Sequence, residues 1–593
     1  MHRNSSGALT ENDVSVLIAG AAGQGVESGG AGLALAAARA GLHVFAHSDF
    51  RSRIRGGDNF NQIRLTHRRV HSHSLKADLL VALTSESVTA HAGELAEGAG
   101  VVLPEGIELG DLATTRPDLA PMRLPLMKIA KDEGSRLMLN TGALAAAAAV
   151  VGVPLDALLG VIARNFSRKG TEIVASNIRV AEAAYAMAHR EYVSTFRRRI
   201  NTPVAPEPLL LMNGNQAFAL GAVAGGCRFI AAYPMTPATT IVEWLAALPS
   251  EYGVVCKHTE DEIAAVCMAI GASFAGARAM TATSGGGFCL MVEAMGLAGM
   301  TEVPVVIVNA QRGGPSTGLP TRTEQSDLLF AIHAGQGEFP RIVLAPATVE
   351  ECFEAGWRAF NFAEQYQCPV VVMTDTFLAS SLTTVAKSAI DFRDVTIGRG
   401  QTLDSDGLDR FDGPYERFLV TESGVSPRAL PGDPSRVFRA SSDEHDELGH
   451  ITEESGNRVR MMQKRMRKLE AARAEMRGPK VIGPADAEVT LICWGSTVGP
   501  CREAAALLSA GGTIASVLAF GDLWPMPVEA VRNALLDTRH AIAVEQNYTA
   551  QLAKLLRMET GVSITSTINK YDGRPFSPEE IAEAVRQEVG VSV

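Results

Sequence analysis

The chain has 593 residues, 46% hydrophobic and 20% charged, with a formal net charge of −11. That length exceeds one core, so three or four domains are expected, and the composition excludes a disordered protein. The acidic balance argues against general nucleic-acid binding. The eight cysteines contain no C-x-x-C spacing, which argues against a metal cluster or zinc site built by this chain alone and fits a reducing cytoplasm.

Residues 1–12 are polar and lack the basic-then-apolar layout of a secretion signal. Residues 14–20 have a buried-strand pattern and lead through Gly20, Gly23 and Gly25 into an alanine-rich helix ending near Gly41. This spacing is not G-x-G-x-x-G, and no acidic ribose reader follows, which disfavours nicotinamide binding. Such a turn still offers backbone N–H groups to a phosphate. Arg51, Arg53 and Arg55 then alternate ahead of Gly56 and Gly57, so an extended segment puts the three arginines on one face. That face suits an anionic partner or a bridge between domains or subunits. The apolar run 141–163 is interrupted by Pro154 and Asp156 and reads as buried helix and turn, not as a membrane span. A long helix ends near Arg190, and the prolines at 203, 206 and 208 mark a linker.

From residue 209 to about 380, strand and helix patterns alternate, with strands at 277–283, 303–309, 341–344 and 369–374. Alternation of this kind predicts a parallel sheet covered by helices. Three motifs stand at element ends. Two prolines make residues 233–237 a rigid loop carrying the Thr236 hydroxyl; Glu262 opens a small-residue helix; and the strand 305–309 empties into a loop presenting Arg312. Loops at the ends of parallel strands are where α/β proteins bind ligands. Each residue also has an ordinary reading: Thr236 as turn chemistry, Glu262 as the far end of a capping box with Thr259, and Arg312 as a surface charge.

Beyond residue 382 the pattern dissolves into a polar, glycine- and proline-rich region, followed by a charged helix over about 455–477. The cluster Ser442-Asp-Glu-His445-Asp-Glu-Leu-Gly-His450 has metal-ligating residue types, but acids beside a histidine in a loop read more simply as a solvated face. A third α/β unit spans about 487–593, with strands at 489–494, 513–518 and 540–545.

The series Tyr233-Pro-Met-Thr-Pro237, the Glu262 helix, Thr281-Ala-Thr-Ser-Gly-Gly-Gly287 and Gln311-Arg-Gly-Gly-Pro-Ser-Thr-Gly-Leu-Pro-Thr321 closely resembles the α subunit of 2-oxoacid:ferredoxin oxidoreductases. The resemblance covers nearly the whole chain. It is strongest to the 2-oxoglutarate member, with the γ domain fused ahead of the α domains. The implied fold is α/β in three domains: a γ-type domain at 1–195, a linker at 196–208, a parallel-sheet domain gripping the pyrimidine of thiamine diphosphate at 209–395, a polar connecting segment at 396–484, and a transketolase C-terminal-like domain at 485–593.

The resemblance further implies Glu262 against the aminopyrimidine, with Tyr233, Pro234, Thr283 and Ser284 beside the cofactor. Thr236 and Arg312 would take the 2-oxoacid, and Arg51, Arg53, Arg55, Gly56 and Gly57 the coenzyme A. No Gly-Asp-Gly followed by asparagine is present, and Gly521-Asp-Leu-Trp524 lacks the second glycine. This chain is therefore expected to hold no metal. Mg2+ and the diphosphate would be shared with a separate β chain, which alone would carry an iron–sulfur cluster. The implied reaction is oxidative decarboxylation of 2-oxoglutarate with coenzyme A, giving succinyl-coenzyme A, carbon dioxide and reduced ferredoxin, or the reverse carboxylation. The implied assembly is cytoplasmic, with two α and two β chains and with neither nucleic acid nor membrane. Pyruvate or a branched-chain 2-oxoacid is the alternative substrate. A non-catalytic scaffold is the alternative role, against which intact Glu262, Thr236 and Arg312 speak.

Overall fold

The computed structural model describes residues 12–21, 24–49, 58–201, 207–403, 407, 413–432, 437–536 and 538–590. The element of Arg51, Arg53, Arg55, Gly56 and Gly57 lies outside the described residues. The chain forms two compact units: Met1–Met212 with Ser380–Ala389 and Ser577–Glu580, and Asn213–Ala379 with Ile390–Phe576 and Ile581–Val593.

The first unit is built on an eight-stranded mixed sheet, counted among the described residues. Its strand order is Ala120–Leu124, Leu95–Pro104, Ala77–Ala82, Asp13–Ala21, Asp58–Thr66, His43–Asp49, Leu382–Ala386 and Leu209–Met212. The first four strands are parallel to one another, and each later strand is antiparallel to its neighbour. The helices Val26–Arg39, Leu139–Val151 and Thr171–Tyr192 carry its core, largely through alanine. Two short strands that lie within the bounds 209–395 expected for the second domain, Leu209–Met212 and Leu382–Ala386, pair here instead, and Val44 N–H donates to Thr384 Oγ1 at 2.9 Å. Short strands carry no local signal of which sheet they join, because pairing is decided by distant neighbours. Among the described residues no helix is long and apolar enough to cross a membrane.

The second unit holds a seven-stranded sheet in the order Asp522–Trp524, Ile342–Leu344, Pro369–Asp375, Val305–Gln311, Ala279–Thr283, Phe229–Ala232 and Val255–His258. All neighbours are parallel except the edge strand Asp522–Trp524. The central strand Val305–Gln311 is buried throughout, as expected of a parallel strand covered on both faces. Close helix contacts explain some of the glycines. A Cβ on Gly221 would lie 2.0 Å from Phe353 O and one on Gly356 would lie 2.5 Å from Phe218 O, so the helices Gly214–Ala224 and Val349–Tyr366 meet backbone to backbone. A five-stranded sheet follows in the order Lys480–Ile482, Ala515–Phe520, Val489–Trp494, His540–Glu545 and Ser566–Asn569. One hydrophobic core runs through both sheets, from Ala231 and Phe288 to Trp494, Leu523 and Leu556. Gly521-Asp-Leu-Trp524 is thus an edge strand, with Asp522 held bidentately by Arg358 at 3.1 and 2.8 Å.

The connecting segment is fastened by buried charge. Glu364 receives Arg278 Nε at 3.0 Å, Arg399 Nε at 3.0 Å and Arg428 Nη2 at 3.2 Å. Glu302 receives Lys464 Nζ and Lys468 Nζ, each at 2.5 Å, from the helix Ser455–Glu475. The Ser442–His450 loop is not the solvated face its composition suggests. Glu444 takes Arg465 Nη2 at 2.8 Å and Arg458 Nη1 at 2.5 Å, while His445 is buried with its ring 4.1 Å from that of Phe418. A basic helix across the loop turns Glu444 inward while Asp443 stays exposed, and local composition does not announce such a partner.

Candidate functional site

The carboxyl ends of Phe229–Ala232, Ala279–Thr283 and Val305–Gln311 point the same way and bring three of the predicted residues together. After the first strand, Tyr233 and Pro234 are exposed and Thr236 follows at the start of a turn, with a cis Thr236–Pro237 peptide bond. Asn215 pins this loop by donating from Nδ2 to Pro237 O at 2.9 Å, a contact that sequence reasoning missed. The neighbouring Asn213–Gln216 capping box is the local signal that fixes the helix start and so places Asn215.

Arg312, just past the third strand, donates from Nη1 to the backbone oxygen of Thr236 at 2.8 Å, so two loops expected to converge are bonded to each other. The Thr236 hydroxyl plays no part in that bond. Burial lowers the Arg312 pKa and the Glu262 carboxylate acts to raise it, which puts these two charges within electrostatic reach.

Glu262 is the first residue of the helix Glu262–Phe274 and only 4% exposed. The capping-box reading is corrected here. The N-cap is Asp261, whose Oδ1 accepts from Ala264 N–H at 2.7 Å, while the Thr259 hydroxyl donates to Asp261 O at 2.9 Å. Aspartate is as good a cap as threonine, and being adjacent to the helix it takes the role. Glu262 is thereby released from capping. Its Oε1 is buried and finds no hydrogen-bond partner among the described residues. A buried carboxyl oxygen left alone is costly, so a donor from a ligand is the natural complement.

The Gly285–Met300 helix starts against this carboxyl. A Cβ on Gly287 would lie 2.6 Å from Glu262 Oε1 and 2.1 Å from Thr283 Oγ1, so only glycine lets Glu262 and Thr283 pack this close to the helix start. Thr283 ends its strand opposite Asn309, and its hydroxyl lies 3.8 Å from Met235 Sδ. Ser284 stands at the N-cap of the helix Gly285–Met300 but makes no cap bond, leaving its buried hydroxyl unpartnered. Asn309 donates to Asp327 Oδ2 at 3.1 Å while its own Oδ1 is buried and unpartnered. Asn309 and Asp327 also went unforeseen, since an asparagine ending a buried strand has no distinguishing pattern. Burial pushes the Asp327 carboxyl up. The unpartnered buried oxygens of Glu262 and Ser284 suit the donors of an aminopyrimidine, and the nearby guanidinium of Arg312 suits a carboxylate. Among the described residues no group of three or more His, Cys, Asp or Glu is arranged to hold a metal.

The chain matches three family descriptions in series. These are "Pyruvate ferredoxin/flavodoxin oxidoreductase" over 15–187, "Pyruvate flavodoxin/ferredoxin oxidoreductase, thiamine diP-bdg" over 220–464 and "Transketolase, C-terminal domain" over 480–588. It is 33% identical to a 2-oxoacid:ferredoxin oxidoreductase subunit alpha of Sulfolobus sp, covering 96% of each chain. It is 29% identical to the 2-oxoglutarate oxidoreductase subunit KorA of Mycobacterium tuberculosis, covering 97% of this chain and 91% of that one. A solved 2-oxoglutarate:ferredoxin oxidoreductase from Magnetococcus marinus, with 2-oxoglutarate, coenzyme A and succinyl-CoA bound, superposes with a TM-score of 0.91 at 34% identity, covering 98% of this chain and 100% of that one. With the three domains in the expected order and Glu262, Thr236 and Arg312 gathered at one end of the parallel sheet, the chain belongs to the 2-oxoacid:ferredoxin oxidoreductases, as an α subunit with the γ domain fused ahead of it.

Proposed function

We propose that this subunit serves the oxidative decarboxylation of 2-oxoglutarate with coenzyme A to succinyl-coenzyme A and carbon dioxide, reducing ferredoxin, or the reverse carboxylation. The bound molecules of the Magnetococcus marinus structure and the name of the Mycobacterium tuberculosis relative support 2-oxoglutarate over other acids. The family descriptions name pyruvate, which keeps pyruvate, with branched-chain acids, as the competing substrate.

The observation that carries the reading is the buried, unpartnered Oε1 of Glu262 beside Gly287. When bound, thiamine diphosphate would supply the carbon nucleophile for the 2-oxo group. Glu262 would hold a proton-bearing ring nitrogen of the pyrimidine at Oε1, and Thr283, Ser284, Tyr233 and Pro234 would be the other residues beside the cofactor. Arg312 pairs with the first carboxylate of the 2-oxoacid, for which the planar guanidinium fork is suited. The Thr236 hydroxyl donates to the reacting end. The basic element of Arg51, Arg53 and Arg55 with Gly56 and Gly57 serves the phosphates of coenzyme A.

Half of the machinery belongs to a β chain in this reading: the diphosphate and Mg2+ ligands and the iron–sulfur cluster. The faces flanking the site support such a partner. Ile263 (51% exposed) and Met268 (48%) on the Glu262 helix and Leu290 (50%) on the Gly285–Met300 helix leave apolar surface uncovered beside the carboxyl. A cytoplasmic assembly of two α and two β chains completes the proposal. The test is to purify this chain with and without a β chain and offer 2-oxoglutarate, pyruvate and branched-chain 2-oxoacids with a redox dye. Activity is expected only in the complex and highest with 2-oxoglutarate. Turnover by the lone chain overturns the divided site, a preference for pyruvate overturns the substrate, and a complex inert toward every acid supports the scaffold.

A further inference from the structure

The loop that carries Arg312 is a closed hairpin. Leu319 N–H donates to Gly313 O at 2.8 Å, Gly313 N–H to Arg322 O at 3.2 Å, and the Thr376 hydroxyl lies 3.2 Å from both Gln311 O and Arg322 O. The residues that follow run as a strap rather than as a helix or strand. On one side the Thr323 hydroxyl donates to Asp375 Oδ1 at 3.1 Å and Asp327 N–H to Gln311 Oε1 at 3.0 Å; on the other, Gln325 and Ser326 bond to the C-terminal part of the chain. Gln325 is fully buried. Its backbone N–H donates to Gln546 O at 2.7 Å, its Nε2 to Trp494 O at 2.8 Å, its Oε1 accepts from Gln546 N–H at 3.2 Å, and its backbone oxygen accepts from Asn547 Nδ2 at 3.1 Å. Gln551 repeats the pattern two turns on, donating to Ser326 O at 2.6 Å and accepting from Leu329 N–H at 2.9 Å.

The far side of these bonds is itself rigid. Glu545 is buried and accepts from Leu552 N–H at 2.8 Å, Ala553 N–H at 3.0 Å, Asn547 Nδ2 at 2.9 Å and Trp494 Nε1 at 3.3 Å. A carboxylate at the N-terminus of the helix Gln551–Thr560 with four donors is a fixed point. The C-terminal part also presses on the hairpin directly: a Cβ on Gly573 would lie 2.9 Å from Arg322 Cβ and 3.0 Å from Leu319 Cδ1.

We infer that the C-terminal domain holds the substrate loop in register, with Gln325 as the positioning residue that sets where Arg312 stands. This rests on the reading of Arg312 as the carboxylate ligand. A primary amide suits the task because one side chain supplies a donor and an acceptor at the same reach, and both are spent on backbone groups of the other domain. Small displacements of a charge clamp have large kinetic effects, so fastening the loop at its base is a route by which a domain distant in sequence governs substrate use. The polar Glu545-Gln-Asn547 run is thereby occupied inside this chain.

The test uses the full α–β complex carrying Gln325→Leu, with Gly573→Ala as a second variant that displaces the hairpin without removing a buried hydrogen bond. Two readouts are taken: amide hydrogen exchange in peptides covering 312–322, and the KM and kcat for the 2-oxoacid. Both variants are expected to speed exchange in that segment and to raise the KM about tenfold, the scale of a misplaced charge-assisted bond, with kcat changed less. Unchanged exchange in both variants overturns the inference. Arg312→Ala measured beside them separates the two claims. Normal kinetics in Arg312→Ala removes the reading of Arg312; a raised KM there, with normal KM in Gln325→Leu and Gly573→Ala, removes the inference alone.

Discussion

Glu262 and Glu302 lie in the same unit, 4% and 0% exposed, and have opposite surroundings. Glu302 spends both oxygens on lysines, Lys464 and Lys468 at 2.5 Å each, and its backbone oxygen on Arg417 Nη2 at 2.7 Å. These cations hold its carboxyl well below the usual carboxylate range against the pull of burial. Glu262 has a buried oxygen without a partner among the described residues, with a half-buried arginine near it. Burial alone therefore does not mark a functional carboxyl. What separates the two is whether the fold has already supplied the partners: a saturated carboxylate fixes structure, and an unsaturated one waits for a ligand.

The sharpest way to break that comparison is to remove each charge in turn. Glu262→Gln is expected to lower turnover of the α–β complex by about 10²- to 10⁴-fold, the range of a lost acid–base group, and to leave the unfolding midpoint unchanged. Asp261, not Glu262, caps the helix, so no fold contact is lost. Near-wild-type turnover in this variant reduces Glu262 to a buried residue without a role. Glu302→Gln should do the reverse, leaving two buried lysines without their counter-charge at a cost of about 3 to 5 kcal/mol, with kcat of the folded fraction intact. Trp244, Trp357, Trp494 and Trp524 all lie in the second unit, so the urea midpoint read by tryptophan fluorescence reports on that unit alone. An unshifted midpoint would make the lysine pairing incidental.

The two sites also differ in how far the sequence disclosed them. Tyr233-Pro-Met-Thr-Pro237, Glu262 and Arg312 were legible because each is a local signal at the end of an element: a proline bracket, a helix start, a loop after a buried strand. What they bond to was not. The Arg312 bond to a backbone oxygen instead of a hydroxyl and the Asn309–Asp327 pair depend on which strands lie side by side, whereas the Asp261 cap is a local bond to Ala264 that the nearby Thr259 concealed. Lys464, Lys468 and Arg465 read as the surface of a charged helix and are buried, because their partners Glu302 and Glu444 come from other segments. The same limit hid Leu209–Met212, Leu382–Ala386 and Asp522–Trp524, each too short to say which sheet it would complete.

A smaller effect is expected at the rim of the Glu262 site. Arg312→Ala removes a charge-assisted contact worth about 1.5 to 3 kcal/mol, which lowers kcat/KM for the 2-oxoacid roughly ten- to a hundredfold. Because Thr236 accepts from Arg312 through its backbone oxygen, Thr236→Ala leaves that bond in place and isolates the hydroxyl. Its effect should fall mainly on kcat. A rise in KM alone in Thr236→Ala would mean that the loop has moved, and normal kinetics in both variants would place the carboxylate elsewhere.

The smallest effect sharpens the comparison from the other side. Three cations, Lys464, Lys468 and Arg417, surround the single carboxylate of Glu302, so one positive charge is more than the site needs. Burial pushes Lys464 down to about 7 from its ordinary 10.5, with Glu302 acting in the opposite direction and Lys468 and Arg417 reinforcing the drop. A lysine whose pKa is lower in the folded chain than in the unfolded one opposes folding when protonated. Below pH 7 both states carry the proton and the penalty is fully present; from pH 7 upward the unfolded chain binds a proton that the folded one has released, so stability rises with pH. Over pH 7 to 9 Glu302 stays ionised in both states and adds nothing to that slope, while Cys368, pushed up from 9.0 to about 12 by burial, keeps a proton that the unfolded chain begins to release near pH 9 and so opposes the climb at the top of that range by less than Lys464 contributes. The tryptophan-read urea midpoint of the wild type should therefore climb from pH 7 to 9. Lys464→Met keeps the volume and removes one surplus charge, leaving Lys468 and Arg417 beside Glu302. Its midpoint at pH 7 should equal or exceed that of the wild type, since replacing part of a buried ionic cluster by a hydrophobe is often neutral or stabilising. Its climb with pH should be shallower, with Lys468, also lowered by burial, supplying what remains. A midpoint that falls as far as in Glu302→Gln would mean that Glu302 needs both lysines, and that the site is balanced rather than over-supplied with positive charge.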